Sequence, residues 1–66
     1  DYYKMPLVTI EGPANVSKEC KKELIENVSK AVSNAYQIPI QAIDIVIHEN
    51  QPDNIGVGGK QLSEKE

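Results

Sequence analysis

Residues 43–49 read IDIVIHE, and this stretch decides the fold because it alternates more regularly than any other part of the chain. Ile43, Ile45 and Ile47 recur at every second position. Successive side chains of a β-strand point to opposite faces of its sheet, so the three isoleucines would line one face. The stretch therefore predicts a strand with one apolar face.

The segment upstream of this strand has the periodicity of an amphipathic helix. Ser17 is the predicted N-cap. Pro39 disfavours a helical conformation of the residue before it, so the helix is predicted to end near Tyr36 or Gln37. Apolar residues recur at spacings of three and four and are expected on the buried face: Cys20, Leu24, Val28, Ala31, Val32 and Ala35. Cys20 is thus predicted to be a small core residue rather than a nucleophile.

A second alternating segment, residues 7–11, precedes the helix, and residues 12–15 are predicted to end it as a turn. A strand, a helix and a strand in this order form a βαβ unit with parallel strands and a right-handed crossover. Residues 51–54 are a predicted turn, and the glycine-rich residues 55–59 suit a tight hairpin. The predicted fold class is α+β, a βαβ unit with a short C-terminal hairpin. Its bare sheet face calls for completion by oligomerisation.

The domain prediction is a single unit over residues 6–62, with an N-terminal extension over residues 1–5 and a polar tail over residues 63–66. Met5 and Pro6 raise a chemical question at the first boundary. An internal proline has an amide nitrogen with no basicity. If Met5 is an initiator that is removed, Pro6 carries a secondary amine that can take up and release a proton.

Size and composition restrict the function further. The chain has 66 residues, no Phe, no Trp, one Cys and one His, which excludes an intrachain disulfide and argues against a structural zinc site or other metal. A single core this small rarely supplies more than about 3 to 5 kcal/mol, so association of copies is expected. A net charge of −3 with no Arg argues against nucleic acid, and the lack of a long apolar run argues against a membrane span. A cytoplasmic setting is the resulting expectation.

Two further motifs receive ordinary structural interpretations. Residues 56–60, GVGGK, lack the first glycine and the final Ser or Thr of a phosphate-binding loop, so they are interpreted as a flexible hairpin. His48 is a lone imidazole near the end of a strand, and such a residue is usually structural or exposed to solvent. No two carboxylates suggest themselves as a general acid and base.

Taken in order, several segments resemble the 4-oxalocrotonate tautomerase family, whose fold is related to that of macrophage migration inhibitory factor. The resemblance covers residues 6 to about 62 and is closest to the DmpI-like branch. Its carriers are a proline that opens the first strand, the helix, the segment that leads into the second strand, and the hairpin: PLVTIEG (6–12), SKECKKELIENVSKAVSNAY (17–36), IPI (38–40) and NIGVGG (54–59).

The resemblance implies an enol–keto tautomerase that acts, without a cofactor, on 2-hydroxy-2,4-dienoates or 2-oxo acids such as 2-hydroxymuconate. Pro6 as the N-terminal residue would be the general base. Leu7 and Ile55 would line the substrate site, and burial among apolar groups favours the neutral form of an amine. The resemblance also implies a homo-oligomer built from dimers, commonly a hexamer.

The chain differs from this family at the positions that bind substrate carboxylates. Two arginines of well-studied members correspond to Val16 and Asp44 here, and an aromatic residue corresponds to Ile55. Lys18 or Lys21 could replace the missing cations, although lysine offers a point charge rather than a bidentate fork. The alternative interpretation is an inactive structural homologue that keeps the assembly and has lost the site.

Overall fold

The structure, a computed structural model, describes residues 6–65 as a strand–helix–strand unit followed by a small hairpin. The predicted extension at residues 1–5 and the last residue of the predicted tail lie outside the described residues. The elements are β1 (Leu7–Pro13), α1 (Lys18–Tyr36), β2 (Asp44–Asn50), β3 (Gly56–Val57) and β4 (Lys60–Gln61), with 3-10 turns at Ile40–Ala42, Pro52–Asn54 and Leu62–Lys65.

Strands β1 and β2 pair in parallel, which confirms the predicted βαβ unit. The register runs from Leu7 opposite Asp44 to Pro13 opposite Asn50. The predicted turn over residues 12–15 was placed two residues too early, because β1 continues through Pro13. Proline lacks an N–H group but is tolerated on an edge strand, and β1 has only one neighbouring strand among the described residues.

Both predicted ends of α1 are confirmed. At the N-terminus, the Ser17 Oγ accepts a hydrogen bond from the Cys20 backbone N–H over 3.1 Å. At the C-terminus, Gln37 adopts the left-handed conformation with φ 56°, and its N–H donates to the Ser33 carbonyl. The Ser33 hydroxyl donates to the Ile38 carbonyl over 2.6 Å, which fixes the chain as it leaves the helix.

The orientation of α1 on the sheet corrects the predicted buried face. Of residues 6–64, Ser29 is the most buried, 9% exposed, whereas Leu24 is 38% exposed and Cys20 is also exposed. The apolar residues of this helix span more than one face, so their spacing alone does not show which side is buried. The residues turned toward the sheet are Lys21, Val28, Ser29, Val32 and Ser33, so the prediction was right for Val28 and Val32 and wrong for Cys20, Leu24, Ala31 and Ala35.

The sheet is covered on one side only. Val8, Ile10, Ile45 and Ile47 lie on the helix side and are half-buried, and no hydrophobic side chain of the described residues is fully buried. The opposite side, called the open face from here on, consists of Leu7, Thr9, Glu11, Asp44, Val46 and His48, all exposed. A single chain therefore lacks the closed core that normally stabilises a domain.

The C-terminal hairpin forms as predicted. Gly58 and Gly59 have φ of 60° and 81°. Two consecutive positive φ values are typical of a type I′ turn, which matches the twist of antiparallel strands. The Leu62 N–H donates to the Ile55 carbonyl over 2.7 Å and ties the following 3-10 turn to the start of the hairpin.

Among residues 6–65, no helix is both long enough and apolar enough to cross a bilayer.

The left-handed Gln37 gives a test of the helix terminus. A side chain in this conformation is strained and glycine is not, so Gln37→Gly should raise the free energy of unfolding by about 0.5 to 1 kcal/mol. Gln41→Gly is the control, because Gln41 lies in a 3-10 turn without positive φ and glycine there should lower stability. Urea unfolding followed by circular dichroism measures both. Equal loss of stability in the two variants would contradict the assigned cap.

Candidate active site

Pro6 lies at the N-terminal end of the sheet, immediately before β1. Its carbonyl accepts a hydrogen bond from the Asp44 backbone N–H over 3.3 Å, so the start of β2 anchors it. Pro6 is half-buried, and the strand alternation puts it on the same side as Val8 and Ile10. The predicted base thus stands at a sheet corner, with apolar side chains along one side.

Two further residues at this corner face the opposite side. Leu7 and Asp44 are register partners on the open face, and Leu7 is 58% exposed. Leu7 is therefore adjacent to Pro6 in sequence but points away from the helix. Asp44 adds an exposed carboxylate to the corner where Pro6 lies.

The two predicted cationic residues lie at the other end of the sheet. Lys21 forms an ion pair with Glu49, near the carboxyl end of β2. Lys18 and Lys21 share a groove of about 460 Å³ with Ile47. Glu49 is level with Gly12 in the register, six residues along β1 from Pro6 and therefore about 20 Å away. One chain does not bring these lysines to Pro6.

Val16 and Ile55 also follow the carboxyl ends of the strands. Val16 precedes the Ser17 cap and is 38% exposed. Ile55 is half-buried, and its N–H donates to the Pro52 carbonyl over 3.2 Å. The main contacts of the hairpin that follows are with its flanking 3-10 turns rather than with β1. Of the two positions where the resemblance implies arginines, Val16 is thus near one end of the sheet and Asp44 at the other.

A hydrogen-bonded network at the carboxyl end of the open face was missed by the sequence analysis. The His48 Nδ1 lies 2.6 Å from the Glu11 Oε2, and the Asn50 amide donates to the Glu11 Oε1 over 2.9 Å. The register that puts Glu11 opposite His48 brings the two together. The alternation of each strand showed which face each side chain occupies, but it did not show the register between strands.

Both oxygens of the Glu11 carboxylate are engaged, and this stabilises its charged form. The hydrogen bond from Asn50, and then that from His48, lowers the pKa of Glu11 below its ordinary value of 4.5. The network lines one side of an open depression of about 670 Å³, and Lys21, Ile47 and Glu49 line the rest of it. Among the described residues, no group of three acidic, His or Cys side chains is placed to hold a metal ion.

Comparison with known proteins gives consistent results across nearly the whole chain. The family model described as "Tautomerase enzyme" matches residues 6–65. A "Probable tautomerase" from Halalkalibacterium halodurans is 36% identical over 61 residues, covering 92% of this chain and 100% of that protein. The "2-hydroxymuconate tautomerase" of Bacillus subtilis is 34% identical over 62 residues, covering 94% of this chain and 100% of the relative.

Solved structures show the same similarity. The crystal structure of YwhB, described as a homologue of 4-oxalocrotonate tautomerase, matches this chain with a TM-score of 0.86 at 33% identity. The match covers 92% of this chain and 100% of the YwhB chain. A heterohexamer 4-oxalocrotonate tautomerase from Chloroflexus aurantiacus has a TM-score of 0.80 at 32% identity, with 91% of this chain and 97% of that chain covered. The similarity spans both the βαβ unit and the hairpin.

The lowered pKa of Glu11 predicts a specific acid sensitivity. A carboxylate with a depressed pKa contributes stability that is present above the unfolded value of 4.5 and is lost as the pH falls through the lower folded value. Glu11→Gln should therefore flatten the decline of the urea midpoint between about pH 5 and pH 3. Glu26→Gln, an exposed change on α1, is the control and should keep the decline. Matching acid profiles for wild type and Glu11→Gln would contradict the role of the network.

Proposed function

The chain belongs to the tautomerase family, and from this we propose that it catalyses enol–keto isomerisation of 2-hydroxy-2,4-dienoates or related 2-oxo acids, 2-hydroxymuconate among them, with Pro6 as the base. The observation that carries the proposal is that the family match begins at Pro6, the residue at the sheet corner before β1. The name of the Bacillus subtilis relative supports the substrate class.

The proposed reaction is a proton transfer within one substrate. The neutral amine of an N-terminal Pro6 takes the proton of the enol hydroxyl, and the electron pair of that O–H bond forms the carbonyl. The double bonds shift along the diene, and the same nitrogen returns the proton to a distal carbon. Substrate and product have the same atoms, so the reaction needs no cofactor.

The surroundings of Pro6 suit a base whose amine must be neutral in order to accept a proton. Pro6 is half-buried and on the same side as Val8 and Ile10. Apolar surroundings disfavour the charged form of an amine, and a base is most effective when its pKa is near the working pH. Only an N-terminal Pro6 can act in this way, because an amide nitrogen is not basic.

The proposed substrate site draws on more than one copy of the chain. Lys18 and Lys21 are candidates to bind the substrate carboxylates, with Leu7 and Ile55 as apolar lining. Glu49, the ion-pair partner of Lys21, lies about 20 Å along the sheet from Pro6, and Lys18 lies in the same groove as Lys21, so the proposal requires that a neighbouring copy supplies them. Lys21 is paired with Glu49, and a substrate carboxylate would compete for its ammonium group.

A homo-oligomer built from dimers, with a hexamer as the expected size, follows from the same proposal. The incomplete core of one chain supports it, because no hydrophobic side chain among residues 6–64 is fully buried. Each strand of the β1–β2 sheet has only one partner in the described chain, so both outer edges offer unpaired backbone groups. The heterohexamer from Chloroflexus aurantiacus is a relative with six subunits.

The position of Asp44 supports a second candidate function, that of an inactive homologue which retains only the assembly. Its backbone bonds to Pro6, and its exposed carboxylate stands at the corner where a substrate anion would bind. Like charges repel, which weakens binding of a dicarboxylate most. Activity on a monocarboxylate would separate a changed specificity from a lost function.

The decisive experiment compares a chain that begins at Pro6 with the full 66-residue chain. The shorter form should ketonise 2-hydroxymuconate in an ultraviolet assay, with a rate that rises with pH as the amine loses its proton. The 66-residue form should fold and be nearly inactive, because Met5 converts the amine into an amide. Pro6→Ala in the shorter form keeps a primary amine and should retain a residual rate, whereas acetylation should abolish it. Equal rates in the long and short forms would exclude Pro6 as the base.

Asp44→Asn in the form beginning at Pro6 tests the charge at the corner. Removing one repulsion of about 1 kcal/mol should raise kcat/KM for the dicarboxylate 2-hydroxymuconate by about fivefold. The rise should be smaller for a monocarboxylate 2-hydroxydienoate. Asp53→Asn is the matched control, since it removes the same charge beyond the other end of β2. If both variants change the rates equally, the Asp44 carboxylate does not act at the site.

A further inference from the structure

Lys21, one of the two lysines proposed to bind the substrate, already has an anionic partner within its own chain. Its ammonium group donates a hydrogen bond to the Glu49 carboxylate and forms an ion pair that links α1 to the carboxyl end of β2. The two side chains are 29% and 37% exposed, so water screens the pair only in part. An ammonium group with a carboxylate beside it gains less from binding a second carboxylate.

Glu49 accompanies Lys21 in any assembly of this chain, because the two residues meet within one copy. Asp44 accompanies Pro6 in the same way. Its backbone N–H donates to the Pro6 carbonyl over 3.3 Å, and its side chain is exposed. A site that combines the Pro6 end of one copy with the lysine end of another therefore contains both carboxylates, whatever the arrangement of the copies.

The lysine end as a whole has one cation that no carboxylate balances. Lys18, Lys22 and Glu26 line the groove beside Lys21. Lys22 and Glu26 are four residues apart on the exposed side of α1 and contribute opposite charges. Glu49 balances Lys21, and among residues 6–64 Lys18 has no ion-pair partner. Lys18 is therefore the cation that remains available to a ligand.

We propose that the site prefers substrates with a single carboxylate, namely 2-hydroxy-2,4-dienoates whose far end is uncharged, and that Glu49 sets this preference by holding Lys21. The inference rests on the proposed function and names the substrate class within it. Glu49 is a positioning residue, because it acts on the substrate through the Lys21 ammonium group.

The preference follows from the balance of charges between site and substrate. Lys18 is available to bind one carboxylate, whereas a second carboxylate finds no free cation and is repelled by Asp44. A carboxylate that leaves water without gaining a partner is costly to bind, so the second charge of a dicarboxylate weakens its binding. The proposed apolar lining, Leu7 and Ile55, suits an uncharged far end.

The kinetic test uses the form that begins at Pro6, with 2-hydroxymuconate and with 2-hydroxypenta-2,4-dienoate, which has one carboxylate. We expect the lower KM for the monocarboxylate. Glu49→Gln should lower KM for 2-hydroxymuconate by about three- to tenfold and leave kcat nearly unchanged, since the released Lys21 binds substrate but transfers no proton. KM for the monocarboxylate should change less. A lower wild-type KM for 2-hydroxymuconate, or the same KM in Glu49→Gln, would overturn the proposal.

Three further variants show whether Glu49 acts through Lys21. Glu49→Asp keeps the carboxylate and should keep the wild-type ratio of the two KM values. The double variant Lys21→Gln/Glu49→Gln should lose the gain of Glu49→Gln, because it has no ammonium group to release. Glu23→Gln removes the same charge from the exposed side of α1 and is the matched control. A gain that persists in the double variant, or one of equal size in Glu23→Gln, would overturn the role of Glu49.

A binding experiment separates this inference from the enzymatic function. Sorbate and trans,trans-muconate share a conjugated diene and carry one and two carboxylates, and neither has the enol hydroxyl that reacts. Titration calorimetry of the 66-residue chain should give a dissociation constant about three- to tenfold lower for sorbate than for muconate. A preference for sorbate in a protein without catalysis would remove the function and leave the charge preference. Catalysis with equal or tighter binding of muconate would do the reverse, and a chain that binds neither ligand would overturn the inference.

Discussion

The shape of this protein depends on one constraint, that a single helix covers one side of a two-stranded sheet. Val8, Ile10, Ile45 and Ile47 are only half-buried beneath α1, and the open face is exposed. A core of this size supplies at most about 3 to 5 kcal/mol even when it is closed, and here it is not. One chain therefore has little core of its own to stabilise it, and the association proposed above would supply the contacts that it lacks.

The same constraint divides the functional groups between the two ends of the sheet. Pro6 and Asp44 lie at the amino end, whereas Lys21 is tied to Glu49 at the carboxyl end. A rigid parallel pair cannot bend to bring them together. Binding of an anionic substrate at Pro6 would then require the ends of different chains to meet, so the chemistry and the association would be properties of the same contacts.

The sequence alone predicted correctly those features that depend only on residues close together in the chain. Alternation identified both strands, Ser17 and Pro39 located the ends of the helix, and the glycines identified the hairpin. It did not predict features that depend on how a helix packs on the sheet or on the register between strands. The apolar residues of α1 cover a wider arc than one face, so the sequence did not show that Ser29 rather than Leu24 lies against the sheet. The pairing of Glu11 with His48 depends on strand register, which no single strand encodes.

The parallel pairing of Leu7 with Asp44 also has a consequence for how the chain is made. During synthesis β1 emerges first, then the whole of α1, and only then the strand that supplies its hydrogen-bond partners. Until that moment the backbone groups of β1 are hydrogen-bonded to water, and the apolar side of α1 has no sheet on which to pack. Closing so long a loop before any long-range contact forms is slow, and the emerging chain meanwhile exposes the apolar surface that other nascent chains can bind. The apolar sides of β1 and α1 therefore stay exposed until β2 has been synthesised.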